Sequence, residues 1–81
     1  MSRSEVMEKV NEIFCNVFDD DDLIVQDETN AEDIEDWDSL EQVNLIVNME
    51  KEFKVKFNLE EVNQLKNVGE MVDMICSKIV E

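Results

Sequence analysis

The chain has 81 residues, of which 43% are apolar, and this is enough for one small globular domain. Seven basic residues face 22 acidic ones, which gives a formal net charge of −15. Because phosphates would repel such a chain, this charge argues against binding to nucleic acid or to anionic membranes and favours protein partners with basic docking patches. No apolar run approaches the ~18 residues of a membrane span, and the N-terminus does not resemble a signal peptide, so we expect a cytoplasmic protein.

The composition also excludes most enzyme classes. The chain has no His and a single Gly, Gly69. Without His, the usual general base for a Ser or Cys nucleophile and the commonest metal ligand are missing, and one Gly does not build a phosphate-binding loop. The run 19–22 lacks the Gly of an EF-hand calcium loop, so we interpret it as a solvated loop. Cys15 and Cys76 are expected to be buried reduced thiols, with a disulfide or a reactive thiol as alternatives.

The spacing of apolar residues predicts a first helix from about Ser2 to Phe18, in which Ser2 and Glu5 form a capping box. Its apolar stripe comprises Val6, Val10, Ile13, Phe14, Val17 and Phe18. Residues 19–38 then form a long connection with 11 acidic residues and no Lys or Arg, and connections of this length are often functional. A short helix or turn is expected near 31–34. Five apolar residues are expected to pin the connection to the helices: Leu23, Ile24, Val25, Ile34 and Trp37.

A second helix is predicted from Asp38 to about Phe53, with Asp38 as its N-cap and Glu41 at the capping-box position. This helix carries two apolar stripes, although one stripe is enough for a core. The first stripe comprises Leu45, Met49 and Phe53, flanked by Ile46, and the second comprises Leu40, Val43 and Val47. The second stripe is therefore either additional core or a surface for partners.

The remaining sequence predicts two more helices. Residues 54–57 break the pattern and are interpreted as a loop. Asn58 caps a short third helix and Asn67 caps the last one, with Glu61 and Glu70 at the capping-box positions. The residues expected to face inward are Val62, Leu65, Val68, Val72, Ile75 and Ile79, with Met71 and Cys76 beside them. The sequence thus predicts an all-α fold, a small four-helix bundle with a long first loop and a short third helix, formed by residues 1–81 as one domain.

The segment Asp36-Trp37-Asp38-Ser39-Leu40 is the most informative part of the chain. Ser39 is expected in the first turn of a helix, where a phosphate ester would meet exposed backbone N–H groups and the positive end of the helix dipole. At a helix start its side chain can also point into solvent. The alternative is purely structural, with Asp38 as a cap and Ser39 as a tolerated first-turn residue.

Asp38-Ser39-Leu40, followed by the apolar pattern of the second helix, resembles the acyl carrier proteins. The resemblance covers nearly the whole chain and includes its length, acidity, helix order, long first loop and short third helix. It implies a carrier rather than an enzyme, in which a phosphopantetheinyl transferase esterifies Ser39 with 4′-phosphopantetheine from coenzyme A. The thiol of this arm would carry acyl groups as thioesters, with Asp38 assisting the transferase and Leu40 packing beside the arm. The residues expected to contact partner proteins are Trp37, Glu41, Val43 and Val47.

The chain also departs from the pattern of fatty-acid carriers. Asp36-Trp37 stands where they usually have Gly and a small residue, and Asn44 and Lys51 stand where they often have acids. The Trp-Asp-Ser-Leu form resembles specialised free-standing carriers, which indicates secondary-metabolite, lipid or surface-polysaccharide synthesis, with fatty-acid synthesis and an aminoacyl (peptidyl) cargo left open. Alternatives outside the family are an acidic adaptor without a cofactor and an acidic inhibitor or nucleic-acid mimic.

The resemblance also sets expectations about partners and cargo. We expect a monomer that is served by an acyl-loading ligase or acyltransferase and by downstream synthases with basic docking patches. A cargo chain could lie between the second and third helices, where Met49, Val62 and Leu65 are the candidate lining residues. The alternative is a closed core.

Overall fold

The computed structural model describes residues 2–79 and contains no strand in that range. Its four helices are α1 (Arg3–Phe18), α2 (Ser39–Phe53), α3 (Leu59–Gln64) and α4 (Val68–Lys78). The predicted all-α fold with a long first loop and a short third helix is confirmed. Helix α1 packs against both α2 and α4. None of the described helices has the length and apolar character that a membrane span requires.

Capping boxes begin α1 and α3, as predicted. The Glu5 backbone N–H donates to Ser2 Oγ at 3.2 Å, and the Ser2 backbone N–H donates back to Glu5 Oε1 at 3.4 Å. Asn58 and Glu61 form the same pair of bonds, at 2.8 and 3.1 Å. Each box satisfies two backbone donors at a helix end, so both start points are fixed by local side chains.

At the starts of α2 and α4 only half of the predicted box forms. Asp38 and Asn67 each accept a hydrogen bond from the third helical residue, at 2.9 Å. The return bonds are absent, because both Glu side chains are used elsewhere. Glu41 Oε1 accepts from Asn44 Nδ2 at 3.0 Å, and Glu70 Oε2 accepts from the backbone N–H that precedes Asn67, at 2.9 Å. The N-caps were predicted correctly, but these two complete boxes were not.

The core is apolar and is built mainly by α1, α2 and α4. Each fully buried side chain of Val, Leu, Ile, Met or Phe contributes roughly 1.5–3 kcal/mol relative to an exposed one. The buried residues are Val6, Val10, Ile13, Phe14, Val25, Leu45, Ile46, Met49, Phe53, Val68, Met71, Val72 and Ile75. Other apolar residues that were expected in the inward-facing stripes, or beside them in the case of Cys76, are only partly buried at its edge: Val17, Phe18, Val62, Leu65, Cys76 and Ile79.

The long connection, residues 19–38, is bonded at its middle to the N-terminus of α4. The Val68 N–H donates to Thr29 O and the Gly69 N–H donates to Asp27 O, both at 2.8 Å. A Cβ on Gly69 would lie 2.9 Å from Asp27 O, which is closer than ordinary contact. The single glycine of the chain therefore permits this close approach of loop and helix.

Arg3 links the same part of the loop to α4. Its Nε donates to Asp73 Oδ1 at 2.8 Å, and its Nη2 lies 3.1 Å from Asp27 Oδ1. The hydrogen bond to Asp73, followed by that to Asp27, raises the pKa of Arg3 above its ordinary value. Because a guanidinium stays charged at any working pH, this contact persists wherever the two carboxylates are ionised.

The apolar residues of the loop do not all pin it, and the expectation for Ile24 was wrong. Val25 is buried and Leu23 is partly buried, whereas Ile24 is 75% exposed. Side chains alternate in an extended segment, so Ile24 must point away when its two neighbours face α1. Ile34 and Trp37 pack partly against the core as expected. Residues 31–34 form turns rather than a helix.

Both cysteines are free but only half-buried. The expectation of buried thiols was therefore wrong in degree, because both lie beside the apolar stripes of their helices rather than within them. Cys15 Sγ donates to Leu23 O at 3.3 Å, which occupies this thiol at the edge of the loop.

Candidate functional site

The site is built on the first turn of α2. Asp38 has an extended backbone and ends the long loop, and its Oδ1 accepts from the Glu41 N–H at 2.9 Å. Its carbonyl accepts the first intrahelical bond, from the Gln42 N–H at 2.9 Å. Ser39 is thus the first helical residue, and its side chain is exposed. An exposed hydroxyl at this position lies at the positive end of the helix dipole.

Trp37 anchors the loop just before this turn. Its Nε1–H donates to Gln42 Oε1 at 2.7 Å, and its ring lies edge-on to the buried Phe14 with a centroid distance of 5.2 Å. The side chain is therefore half-buried against α1, which leaves only part of it for a partner. Gln42 was not predicted as a site residue. The sequence feature that could have identified Gln42 is its polar side chain, one helical turn after Ser39.

The second apolar stripe of α2 lies on the surface beside Ser39. Leu40 is 69%, Val43 54% and Val47 40% exposed. Because they follow one another at i, i+3 and i+7, they share one face of the helix. Their exposure excludes the alternative that they are additional core. Their contact with partners remains a prediction.

A cleft of about 540 Å³ opens next to Ser39, between α2 and the segment that joins α3 to α4. Val62 and Leu65, two of the candidate cargo-lining residues, line it together with Val43 and Met71. Met49, which is completely buried in the core, does not line it. Two of the three candidate cargo-lining residues thus lie on one open cleft, and its use for cargo stays a prediction.

The surroundings of Ser39 are acidic. Asp36 and Asp38 are exposed, and the half-buried Glu41 is oriented along the helix by its hydrogen bond from Asn44. Within residues 2–79, no cluster of His, Cys, Asp or Glu is arranged to hold a metal ion. Among the described residues, the geometry therefore offers an exposed hydroxyl, a helix dipole and a cleft, but no arrangement that would hold a metal.

Comparison with known proteins is consistent with this geometry. The family of the phosphopantetheine attachment site matches residues 8–75. An acyl carrier protein from Thermosynechococcus vestitus is 38% identical over 80 residues, which are 98% of each chain. One from Petrotoga mobilis is 35% identical over 98% of this chain and 93% of its own. The solution NMR structure of a holo acyl carrier protein from Geobacter metallireducens matches with a TM-score of 0.86 and 44% identity, over 91% of this chain and 85% of that one.

The fold and the matched region together define a phosphopantetheine-attachment domain. The chain belongs to the acyl carrier protein family. It is therefore a non-catalytic carrier with a covalently attached 4′-phosphopantetheine, and it works with a phosphopantetheinyl transferase and with synthase enzymes. The exposed Ser39 hydroxyl, at a helix start beside a cleft, fits such a group.

Proposed function

We propose that Ser39 is the attachment residue and that the chain carries acyl intermediates as thioesters on the arm. The observation that supports this is the exposed hydroxyl of Ser39 at the first position of α2, directly after the Asp38 cap. A phosphodiester at this point is stabilised by the positive end of the helix. The thiol at the end of the arm supplies the thioester chemistry.

In the attachment step, Ser39 Oγ forms a new bond to the phosphorus next to the pantetheine of coenzyme A, and the bond from that phosphorus to 3′,5′-adenosine diphosphate breaks. The hydroxyl proton must go to a base. Because the chain has no His and no carboxylate among residues 2–79 is bonded to this hydroxyl, we assign that base to the transferase. Asp38 holds the first turn of α2 so that the hydroxyl stays at the surface.

We also propose that the cleft beside Ser39 shelters the cargo. Its walls combine apolar side chains, such as Val62 and Leu65, with the polar Gln42. Gln42 and Trp37, which are joined by a hydrogen bond, both line the cleft, and so does the core residue Met71. Cargo in this cleft would lie against α2 and α3.

We propose a specialised biosynthetic pathway rather than general fatty-acid synthesis, because Trp37, Asn44 and Lys51 depart from the fatty-acid carrier pattern. The docking face would be Glu41 with the exposed Val43 and Val47. Expected partners are an acyl-loading ligase or acyltransferase and synthases with basic patches. We place this cycle in the cytosol, with residues 1–81 acting as one monomeric domain.

Mass spectrometry tests the attachment. After incubation with coenzyme A and a broadly specific phosphopantetheinyl transferase, the wild type should gain the mass of one phosphopantetheine. Ser39→Ala should gain none, whereas Ser77→Ala, which removes an exposed serine on α4, should react fully. The proposal fails if folded wild-type protein gains no mass while a second carrier in the same tube does, or if Ser39→Ala still reacts.

Kinetics test the docking face. Val47→Arg and Glu41→Lys should each weaken the complex with the transferase by about 1 kcal/mol, which is about fivefold in KM. Ser4→Arg and Glu8→Lys introduce an Arg and a charge reversal at exposed positions of α1, beside the loop residues 25–28, and should react at the wild-type rate. Equal kinetics for both pairs of variants would show that partners do not dock on α2.

A further inference from the structure

The C-terminal end of α2 carries a basic surface in an otherwise acidic protein. Lys51, Lys54 and Lys56, here called the lysine patch, are exposed. With Val47, Glu50 and Val55 they line one shallow groove. The patch holds three of the seven basic residues of the chain within six positions.

The carboxylates nearest in sequence to the lysine patch are occupied by other partners. Glu50 Oε2 accepts from the Phe57 backbone N–H at 2.9 Å. Glu52 Oε1 lies 3.6 Å from Lys9 Nζ on α1. The ion pairs found among residues 2–79 use only the cations of α1 and α4, and none involves the patch. With 22 acidic residues in the chain, this lack of internal pairing leaves the patch available to another molecule.

The stability of α2 explains why a lysine is present at only one of the three positions of the lysine patch. Lys51 lies in the last helical turn, where a cation interacts favourably with the dipole. Lys54 ends the helix with a φ of 57°, a left-handed conformation that is strained for a residue with a Cβ and that favours Gly. Lys56 lies outside the helix. A lysine is therefore present where glycine would be more stable.

The two ends of α2 act as separate electrostatic regions. Ser39 and Lys51 are 12 residues apart, which is about 18 Å along a helix, whereas the Debye length at physiological salt is about 8 Å. The surface along α2 thus runs from acidic residues near Ser39, through the exposed Val43 and Val47, to the lysine patch.

We propose that the lysine patch binds carboxylates on the proteins that dock on α2, and that it thereby fixes the direction in which they approach Ser39. This rests on the proposed function of Ser39. The matching protein surface has cations, an apolar contact and carboxylates in that order, and such charge complementarity sets orientation more than affinity. A membrane or a nucleic acid is disfavoured as the partner. Its anionic surface is larger than the lysine patch and would also face the rest of the protein, whose net charge of −15 would repel it.

A labelled peptide tests the orientation. The probe is a synthetic helical peptide with leucines along one face, lysines in one half and glutamates in the other, with a nitroxide at either end. It is added to the isotope-labelled chain at about 0.15 M salt, where local charges act separately. A nitroxide on the glutamate end should broaden the NMR signals of residues 47–56 about threefold more than those of 38–43, and one on the lysine end should do the reverse.

The triple variant Lys51→Gln, Lys54→Gln, Lys56→Gln should lose this preference. Its matched control, Ser4→Glu, Gln26→Glu, Ser77→Glu, lowers the net charge by the same three units at exposed positions elsewhere and should keep the preference. Thermal unfolding of each variant checks that the fold is retained.

Three results would overturn the proposal. The first is a failed peptide experiment with the wild type, in which either no peptide binds or both nitroxides broaden the signals of residues 47–56 and 38–43 equally. Another is a wild-type dimer in sedimentation that the triple Lys→Gln variant abolishes, since a second copy would then occupy the patch. The third is co-sedimentation with phosphatidylglycerol vesicles that depends on the same lysines. The mass gain at Ser39 is measured independently of all three, so either proposal can fail without the other.

Discussion

Asp38 is expected to serve both the stability of α2 and the modification of Ser39, and substitutions can separate the two roles. Asp38→Ala removes the Oδ1 acceptor that lies 2.9 Å from the Glu41 N–H. Losing an N-cap of this type costs about 1 kcal/mol. For a domain of this size, that loss lowers Tm by about 4–8 °C. Because Asp38 is exposed, water can replace part of the lost bond, which places the expected change near the lower end of this range.

Circular dichroism measures this change, and Asp38→Asn is its control. Asn keeps the capping oxygen but loses the charge, so Asp38→Asn should unfold within about 2 °C of the wild type. The same two variants are then assayed for phosphopantetheine attachment. If the carboxylate assists the transferase, Asp38→Asn should react more slowly at unchanged stability. The capping argument is refuted if Asp38→Ala is as stable as the wild type, or if Asp38→Asn is destabilised equally.

Three further substitutions test the packing and the charges, with the wild type measured in parallel. Gly69→Ala should destabilise by about 1–3 kcal/mol in urea unfolding, because its Cβ would lie 2.9 Å from Asp27 O; unchanged stability would show that the loop yields freely. Lys54→Gly should stabilise by about 1 kcal/mol by relieving the left-handed φ of 57°, whereas Lys54→Ala, which keeps a Cβ, should not. Hydrogen bonds from the Asn58 N–H and from the side chain of Lys78 on α4 lower the pKa of Glu61 from its usual 4.5. The ionised carboxylate therefore stabilises the fold above that value and ceases to do so as pH falls through the lowered pKa. The stability gap between wild type and Glu61→Gln should thus shrink in acid, and a gap independent of pH would contradict this.

The helix starts could be predicted from the sequence because capping is local. Ser2, Asp38, Asn58 and Asn67 each accept a hydrogen bond from a residue only three positions ahead. The side chain and its donor are therefore visible together in the sequence. The return bonds of the capping boxes were less predictable, because a Glu side chain can choose among several neighbouring donors.

The path of the long loop could not be predicted in the same way. Asn11 on α1 sets it, since its Oδ1 accepts from the Val25 N–H at 2.7 Å and its Nδ2 donates to Leu23 O at 3.1 Å. These two bonds place Leu23 and Val25 against α1 and turn Ile24 outward. Nothing in the sequence of the loop itself shows whether Leu23 and Val25 or instead Ile24 should face α1. This is why the orientation of Ile24 was predicted wrongly.

The site shows the same division between local and tertiary information. Ser39 and the exposed stripe of α2 follow from a short motif and from helical spacing. The bond between Trp37 and Gln42 and the packing on Phe14 depend on how the loop meets α1. The availability of the lysine patch likewise depends on where Glu50 and Glu52 point, because both could have paired with it.

Two helix N-termini serve different purposes in this molecule. The start of α4 is used internally, since Val68 and Gly69 donate their backbone N–H groups to the loop. The start of α2 stays at the surface at Ser39 and Leu40. Residues 19–38, which lead up to it, contain 11 acidic residues, and these would repel an anionic phosphodiester. The dipole of α2 offsets that repulsion by about 0.3–1 kcal/mol at an exposed position. An acidic protein can therefore carry a phosphate at this point, while the loop that presents it remains fixed by the other helix end.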